Sequence, residues 1–458
     1  MKKILCVLLV VALVLACGLV VLTACNKTST DYSHTIIFYS SQGDKLQTAT
    51  LAAINNFQAK YPGWKVEHVA VGGYDDVKEK IVSDFQGKQQ PDVAYCYADH
   101  VAQYLQTSKV VDMSALINST EEVNGNKVGY TKEEVDDFVK GYYDEGYARN
   151  YGDYAKYGYS EDAILTLPFV KSTELMYYNK TALDALGLEP ATTWDELWEQ
   201  AATLRAKYPT ATPLGYDSEA NWFITMCEQN GWGYTNANAP HYAFNNDNTK
   251  AWLAQLNDYY KKGYITTQAA YGSYTSGLFT KGTDGGAIYC IGSSGGASYQ
   301  NPGKAFTWGI APIPGSKQAD GTTVNSAAIS QGPSLVMFEA GNGVENVDEK
   351  KKMTFLFIKE LLDPTFQASF AIDSGYNPSR NSVYTNDAYQ EHMAGDSITA
   401  VAASTAASMA NRFFTSPAFV GSSTARTQVG NVVLYAMTGS KTPEKALQDA
   451  VANCGGNN

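Results

Sequence analysis

The chain has 458 residues, too long for one ordinary domain, and a formal net charge of −12 from 46 acidic and 34 basic residues. With no basic patch, that balance excludes nucleic acid and anionic lipid headgroups as partners. Tyrosine (32) and glycine (39) are abundant and charged residues scarce at 17%, which suits a surface for an uncharged ligand.

The first residues read as an export signal. Met1-Lys2-Lys3 is a short basic region, Ile4 to Leu22 is apolar, and Leu22-Thr23-Ala24-Cys25 closes the run. The apolar length approaches the ~20 residues of a membrane-spanning helix. The ending instead resembles the lipobox of bacterial lipoproteins, in which Cys25 is acylated and becomes the first mature residue. Residues 1–24 are thus expected to be a signal peptide and residues 25–34 a polar linker. The membrane is expected to be met only through the lipid, on its extracytoplasmic face.

After the linker the pattern alternates. Thr35–Ser40 predicts a strand, Asp44–Lys60 a helix, Trp64–Val71 a strand, Tyr74–Gln86 a helix and Pro91–Tyr97 a strand. Such alternation predicts a parallel sheet covered by helices, with ligand beyond the carboxyl ends of the strands. Residues 118–160 break the rhythm. They hold a tyrosine-rich stretch from Tyr142 to Tyr159 and one expected short helix, Lys132–Tyr143. These tyrosines can line a sugar site, but packing and surface roles are the main expectation.

From Ile164 the α/β pattern resumes. Thr193-Trp194-Asp195-Glu196 is a capping box opening a helix, and Asp363-Pro364 and Thr442-Pro443 open two more with proline at the first position. Ala287–Ile291 predicts a buried strand and Lys350–Leu362 a buried helix. Cys96, Cys227, Cys290 and Cys454 have no metal-ligand spacing. Disulfides and buried free thiols both remain open for them. No metal and no cofactor is expected.

Several segments together resemble the family 1 extracellular solute-binding proteins, the sugar-type receptors of bacterial ABC importers. They are Leu167-Pro168-Phe169 with Tyr177-Tyr178-Asn179-Lys180, the capping box with Leu197, Trp308 to Pro314, Phe355 to Leu361, and Ser374-Gly375-Tyr376-Asn377-Pro378. The resemblance implies an α/β, two-lobed periplasmic-binding-protein-like fold of type II with ligand in the cleft. The chain would cross between lobes three times, near Pro168–Ser172, Ala328–Gly332 and Ile372–Pro378. Residues 35–168 plus 332–372 would form one lobe and 169–331 plus 373–458 the other. Hinged closure on a solute would then present the lobes to membrane permease subunits.

The local motifs are most similar to glycerol-3-phosphate-binding members. By that resemblance the ligand-binding residues are Tyr74, Asp99, Ser172, Trp222, Ser293, Ser294, Gly332, Tyr376 and Arg426. Arg426 would grip a phosphate, and the N–H groups after Ser293 would face it. Those members carry a glutamate after the third strand, where this chain has Asp99 about one position away. A carbohydrate is therefore the main expected ligand, with glycerol 3-phosphate or a glycerophosphodiester as the alternative. Plainer roles compete: Arg426 as a salt-bridge partner, Trp222 as core, Gly295-Gly296 as a tight turn. Gly292-Ser293-Ser294-Gly295-Gly296 also fits a nucleophile elbow, so a secreted hydrolase using Ser294 is the reading from another class. Only His392 follows it as a histidine partner, and no enzyme activity is expected.

Overall fold

The structure, a computed structural model, describes residues 31–41 and 44–456. The expected signal peptide and the acylated Cys25 lie outside them. No helix among the described residues is long and apolar enough to cross a membrane.

Two sheets organise the chain. The first runs Lys65–Ala70, Thr35–Ser40, Val93–Cys96, Ser334–Met337, Thr166–Pro168. Its first three strands are parallel, as their alternation with helices requires. Ser334–Met337 runs antiparallel to both of its neighbours, Val93–Cys96 and Thr166–Pro168, so the sheet is mixed rather than wholly parallel. Both faces are covered. Phe38, Phe57, Tyr95 and Phe357 pack on one side, and Tyr39, Val77, Ile81 and Tyr104 on the other. Coverage on both faces suits the buried, mostly apolar strands Thr35–Ser40 and Val93–Cys96, whereas the edge strand Lys65–Ala70 is polar and partly exposed.

The second sheet has Val170–Asn179 at its centre, flanked by Ala328–Gln331 and Ala287–Ser293. Thr212–Tyr216 and Ile265–Thr267 extend it on one side. Its core gathers Trp194, Trp222, Phe223, Trp252 and Tyr289, sealed by the helices Glu219–Asn230, Asp247–Lys261 and Ser422–Thr438. The chain passes between the sheets at Pro168–Val170, at Gln331–Ser334 and at Ser374–Asn377. Gly332 makes the second passage possible. Its φ is +107°, and a Cβ there would lie 2.4 Å from the Val170 carbonyl oxygen, so only glycine fits without displacement.

Helix ends follow the local chemistry. The Thr193 hydroxyl accepts the Glu196 N–H, and the Glu196 carboxylate accepts those of Thr192 and Thr193. Asp363 caps the helix Pro364–Ser374, and Thr442 caps Pro443–Asn453. The stretch 132–143 is two short helices, Lys132–Asp136 and Lys140–Asp144, rather than one. In the Tyr142–Tyr159 stretch, Tyr143 and Tyr151 are core, and Tyr147, Tyr154, Tyr157 and Tyr159 lean on it. Cys96, Cys227, Cys290 and Cys454 carry free thiols, the first three of them buried.

Candidate functional site

Between the two sheets lies a cavity of about 1010 Å³. Its walls are built at carboxyl ends of strands, where loops of an α/β sheet converge. Tyr97 follows Val93–Cys96, Gly72 to Asp75 follow Lys65–Ala70, Asp217 to Asn221 follow Thr212–Tyr216, and Gly295 and Gly296 follow Ala287–Ser293.

Six tyrosines line it: 74, 95, 97, 274, 299 and 376. Tyr74 and Tyr97 pack ring to ring at 4.5 Å, and the Tyr74 and Tyr376 hydroxyls meet at 3.2 Å. Burial holds all three phenols well above their usual range, so they are neutral donors. Tyr274 and Tyr299 line the cavity while 62% and 47% exposed. Gly295 brings the backbone of one wall flat against the Tyr376 ring, which a Cβ at 2.4 Å would push away.

The polar groups between the rings form chains. Arg426, in the helix Ser422–Thr438, donates to the Asn221 carboxamide oxygen. Asn221 donates to Glu174 at 2.9 Å and to Gln331 at 2.7 Å, and Gln331 returns a bond to Asn221 at 3.0 Å. Tyr216 also donates to Glu174. Burial outweighs these donors and pushes the Glu174 carboxyl up to about 7. Asp217 is pushed up to about 6 by burial, against hydrogen bonds from Thr275 at 2.7 Å and its backbone. Asp75 moves the other way: its hydrogen bond with His100, then Lys78, holds it well below the usual carboxylate range. Among the described residues, Arg426 is the only cationic side chain on the cavity wall, facing the carboxyls of Asp75, Glu174, Asp217 and Glu219. No group of His, Cys, Asp and Glu among the described residues has the spacing to hold a metal ion.

The structure brings five of the nine expected binding residues to this cavity: Tyr74, Ser172, Ser293, Tyr376 and Arg426. Asp99 and Gly332 line a smaller side cavity of about 70 Å³, whose wall also includes Arg426, Tyr97 and Gln331. Two residues lie elsewhere. Trp222 is 0% exposed, stacked on Tyr216 at 4.7 Å in the second core. It follows Asn221 on one helix, and a turn of ~100° per residue aims the neighbours at different surroundings. Ser294 is also 0% exposed, and its hydroxyl accepts the Thr173 N–H at 3.4 Å instead of facing the cavity. The Gly295 N–H expected to meet an anion donates to the Ser293 hydroxyl at 3.1 Å. Arg426 engages an amide, not a carboxylate. Tyr97, Glu174, Asp217, Asn221, Tyr274 and Gln331 were not anticipated. The strand-end rule points to Tyr97 and Asp217, but Glu174 sits inside the strand Val170–Asn179, and Gln331 ends a strand in a segment read only as an interlobe crossing.

Residues 52–395 match the family model described as bacterial extracellular solute-binding protein. Among curated relatives, the sn-glycerol-3-phosphate-binding periplasmic protein UgpB of Yersinia enterocolitica is 24% identical over 435 residues, covering 91% of this chain and 90% of its own length. Its namesake from Escherichia coli strain K12 is 23% identical over 442 residues, covering 91% of each. Among solved structures, UgpB from Mycobacterium tuberculosis in complex with glycerophosphocholine superposes with a TM-score of 0.72 at 18% identity, covering 92% of this chain and 97% of that one. The ABC substrate-binding protein Lmo0181 from Listeria monocytogenes, in complex with cycloalternan, also reaches 0.72 at 16% identity, with coverage of 92% and 97%. Maltose-bound MalE3 of T. maritima gives 0.70 at 17%, with 92% and 99%. The fold is thus the two-lobed, type II periplasmic-binding fold, its cavity placed between two sheets joined by three passages. The chain belongs to the bacterial extracellular solute-binding protein family, whose members act outside the cytoplasm as receptors.

Proposed function

We propose that this chain is the capture subunit of an ABC-type importer, taking a carbohydrate into the cleft and closing on it by a hinge. The tyrosine-lined cavity carries the reading. A sugar ring has an apolar C–H face that packs on an aromatic ring, and a rim of hydroxyls that both donate and accept. Here the rings of Tyr74, Tyr97, Tyr274 and Tyr299 share the cavity wall with Asn221, Gln268, Gln300 and Gln331, side chains that also do both. The lobes would be residues 35–168 plus 332–372 and 169–331 plus 373–458, with permease subunits as the partner of the closed form. Acylation of Cys25 would hold the receptor on the outer face of the cell membrane.

A second reading has an observation of its own. Arg426 on the cavity wall suits a phosphate, so a glycerol phosphate or glycerophosphodiester is the alternative, in keeping with what the curated relatives' names say they bind. One cation among four carboxyls favours the uncharged ligand. Asp99 and Gly332 would act at the edge of the site, through the side cavity. Catalysis by Ser294 has no support in its buried, hydrogen-bonded hydroxyl. The test is calorimetry against monosaccharides, oligosaccharides, polyols, glycerol phosphates and glycerophosphodiesters. Binding of a neutral sugar supports the first reading, selective binding of the phosphates replaces it with the second, and binding of none defeats both.

A further inference from the structure

The helices Tyr74–Gly87 and Ser422–Thr438 face each other across the cleft, one from each side. The first puts Tyr74 and Asp75 on the cavity wall, and the second puts Arg426, Thr427, Gly430 and Asn431 there. One side chain joins them. Lys78 lies one helical turn beyond Asp75, on the same face of its helix. Its ammonium donates to Asp75 Oδ1 at 3.1 Å and to the Ser423 hydroxyl at 3.0 Å. The Lys78 side chain is 10% exposed, and Ser423 is 4% exposed.

Asp75 is itself held from behind. Tyr97 N–H points at His100 Nδ1 at 3.5 Å, which leaves Nε2 as the protonated nitrogen facing Asp75 Oδ1 at 3.5 Å. The carboxylate therefore has one oxygen fixed by Lys78 and His100, while Asp75 as a whole lines the cavity.

We propose that Lys78 is a positioning residue of the solute site, a clasp that ties Asp75 on one wall to Ser423 on the other and makes lobe approach depend on what fills the cavity. The inference rests on the proposed solute-binding role of that cavity. Parting the walls breaks the Lys78–Ser423 bond and leaves that donor to water, whereas Asp75 stays open to water even with the walls together, its side chain 61% exposed. A solute over Asp75 displaces that water, and both bonds of the ammonium strengthen as the local dielectric falls. Occupancy is thereby converted into closure without any contact between the solute and Lys78.

The test is the distance between the walls in the chain without added solute. Single-molecule energy transfer is read between dyes on cysteines introduced at the exposed Lys65 and Lys262, in a Cys25→Ser, Cys454→Ser background. Lys78→Met keeps the stem and removes the donors, and Ser423→Ala removes only the acceptor. Each should raise the ratio of open to closed molecules about ten-fold, the scale of a hydrogen bond to a charged group. The double variant should do no more than either alone, because one bond is lost in all three. A role in stability alone would lower the melting temperature and leave the distances unchanged. Unchanged distances in both single variants, or additive effects in the double, would overturn the proposal. Ser423→Ala keeps it testable even if Lys78→Met fails to fold. Failure of the parent chain to bind any solute would instead overturn the proposed function, and would leave the distance result readable.

Discussion

Glu174 makes stability depend on pH in a direction that can be checked. It lies in the strand Val170–Asn179, 3% exposed, with Tyr216 and Asn221 donating to it. Burial raises its pKa from 4.5 to about 7. Between those values the folded chain keeps a proton that the unfolded chain has released, so stability falls as pH rises through the window. Below pH 4.5 both states are protonated and the group contributes nothing. Above about pH 7 both are ionised, and burying the charge costs about 3 kcal/mol. Glu174→Gln retains an oxygen for Asn221 and removes the charge. Urea denaturation at pH 4.5, 6 and 8 is the assay. The variant should match the parent at pH 4.5 and exceed it by up to about 3 kcal/mol at pH 8. A variant less stable at pH 8, or a difference that does not change with pH, would show that burial does not raise the Glu174 pKa and that the argument is wrong.

Three further outcomes follow from the same geometry. Trp222→Ala should lower stability by about 3–5 kcal/mol by chemical denaturation, since a fully buried indole is removed from a ring cluster; a loss of solute affinity without that destabilisation would return Trp222 to the cleft. Arg426→Gln should weaken a neutral sugar by less than about ten-fold in calorimetry, but a phosphate ligand by about 100-fold, because only the latter loses a charge-assisted bond. Gly332→Ala should destabilise by more than ~1 kcal/mol, as its φ is positive and its Cβ would meet the Val170 carbonyl; thermal denaturation of equal midpoint in both proteins would refute the close-approach argument.

Local chemistry accounts for what the sequence by itself determined. Strands and helices of the first lobe follow from alternating periodicity, and the helix starts at Thr193, Asp363 and Thr442 from side chains that satisfy free N–H groups within three residues. Family membership was legible because short motifs recur in order along nearly the whole chain. The site was only partly so. Tyr74, Ser172, Ser293, Tyr376 and Arg426, to which motif resemblance pointed, lie on the cavity wall, whereas Glu174, Asn221 and Gln331 come together from a strand, a helix and another strand far apart in sequence. Within strands buried on both faces, a polar residue aimed at a cavity and one aimed at a core look alike. Trp222 and Asn221 show the limit most sharply, since adjacent residues on one helix face a core and a cleft. Which of them reaches the cleft depends on how the second sheet's helices pack, and that is decided by tertiary structure alone.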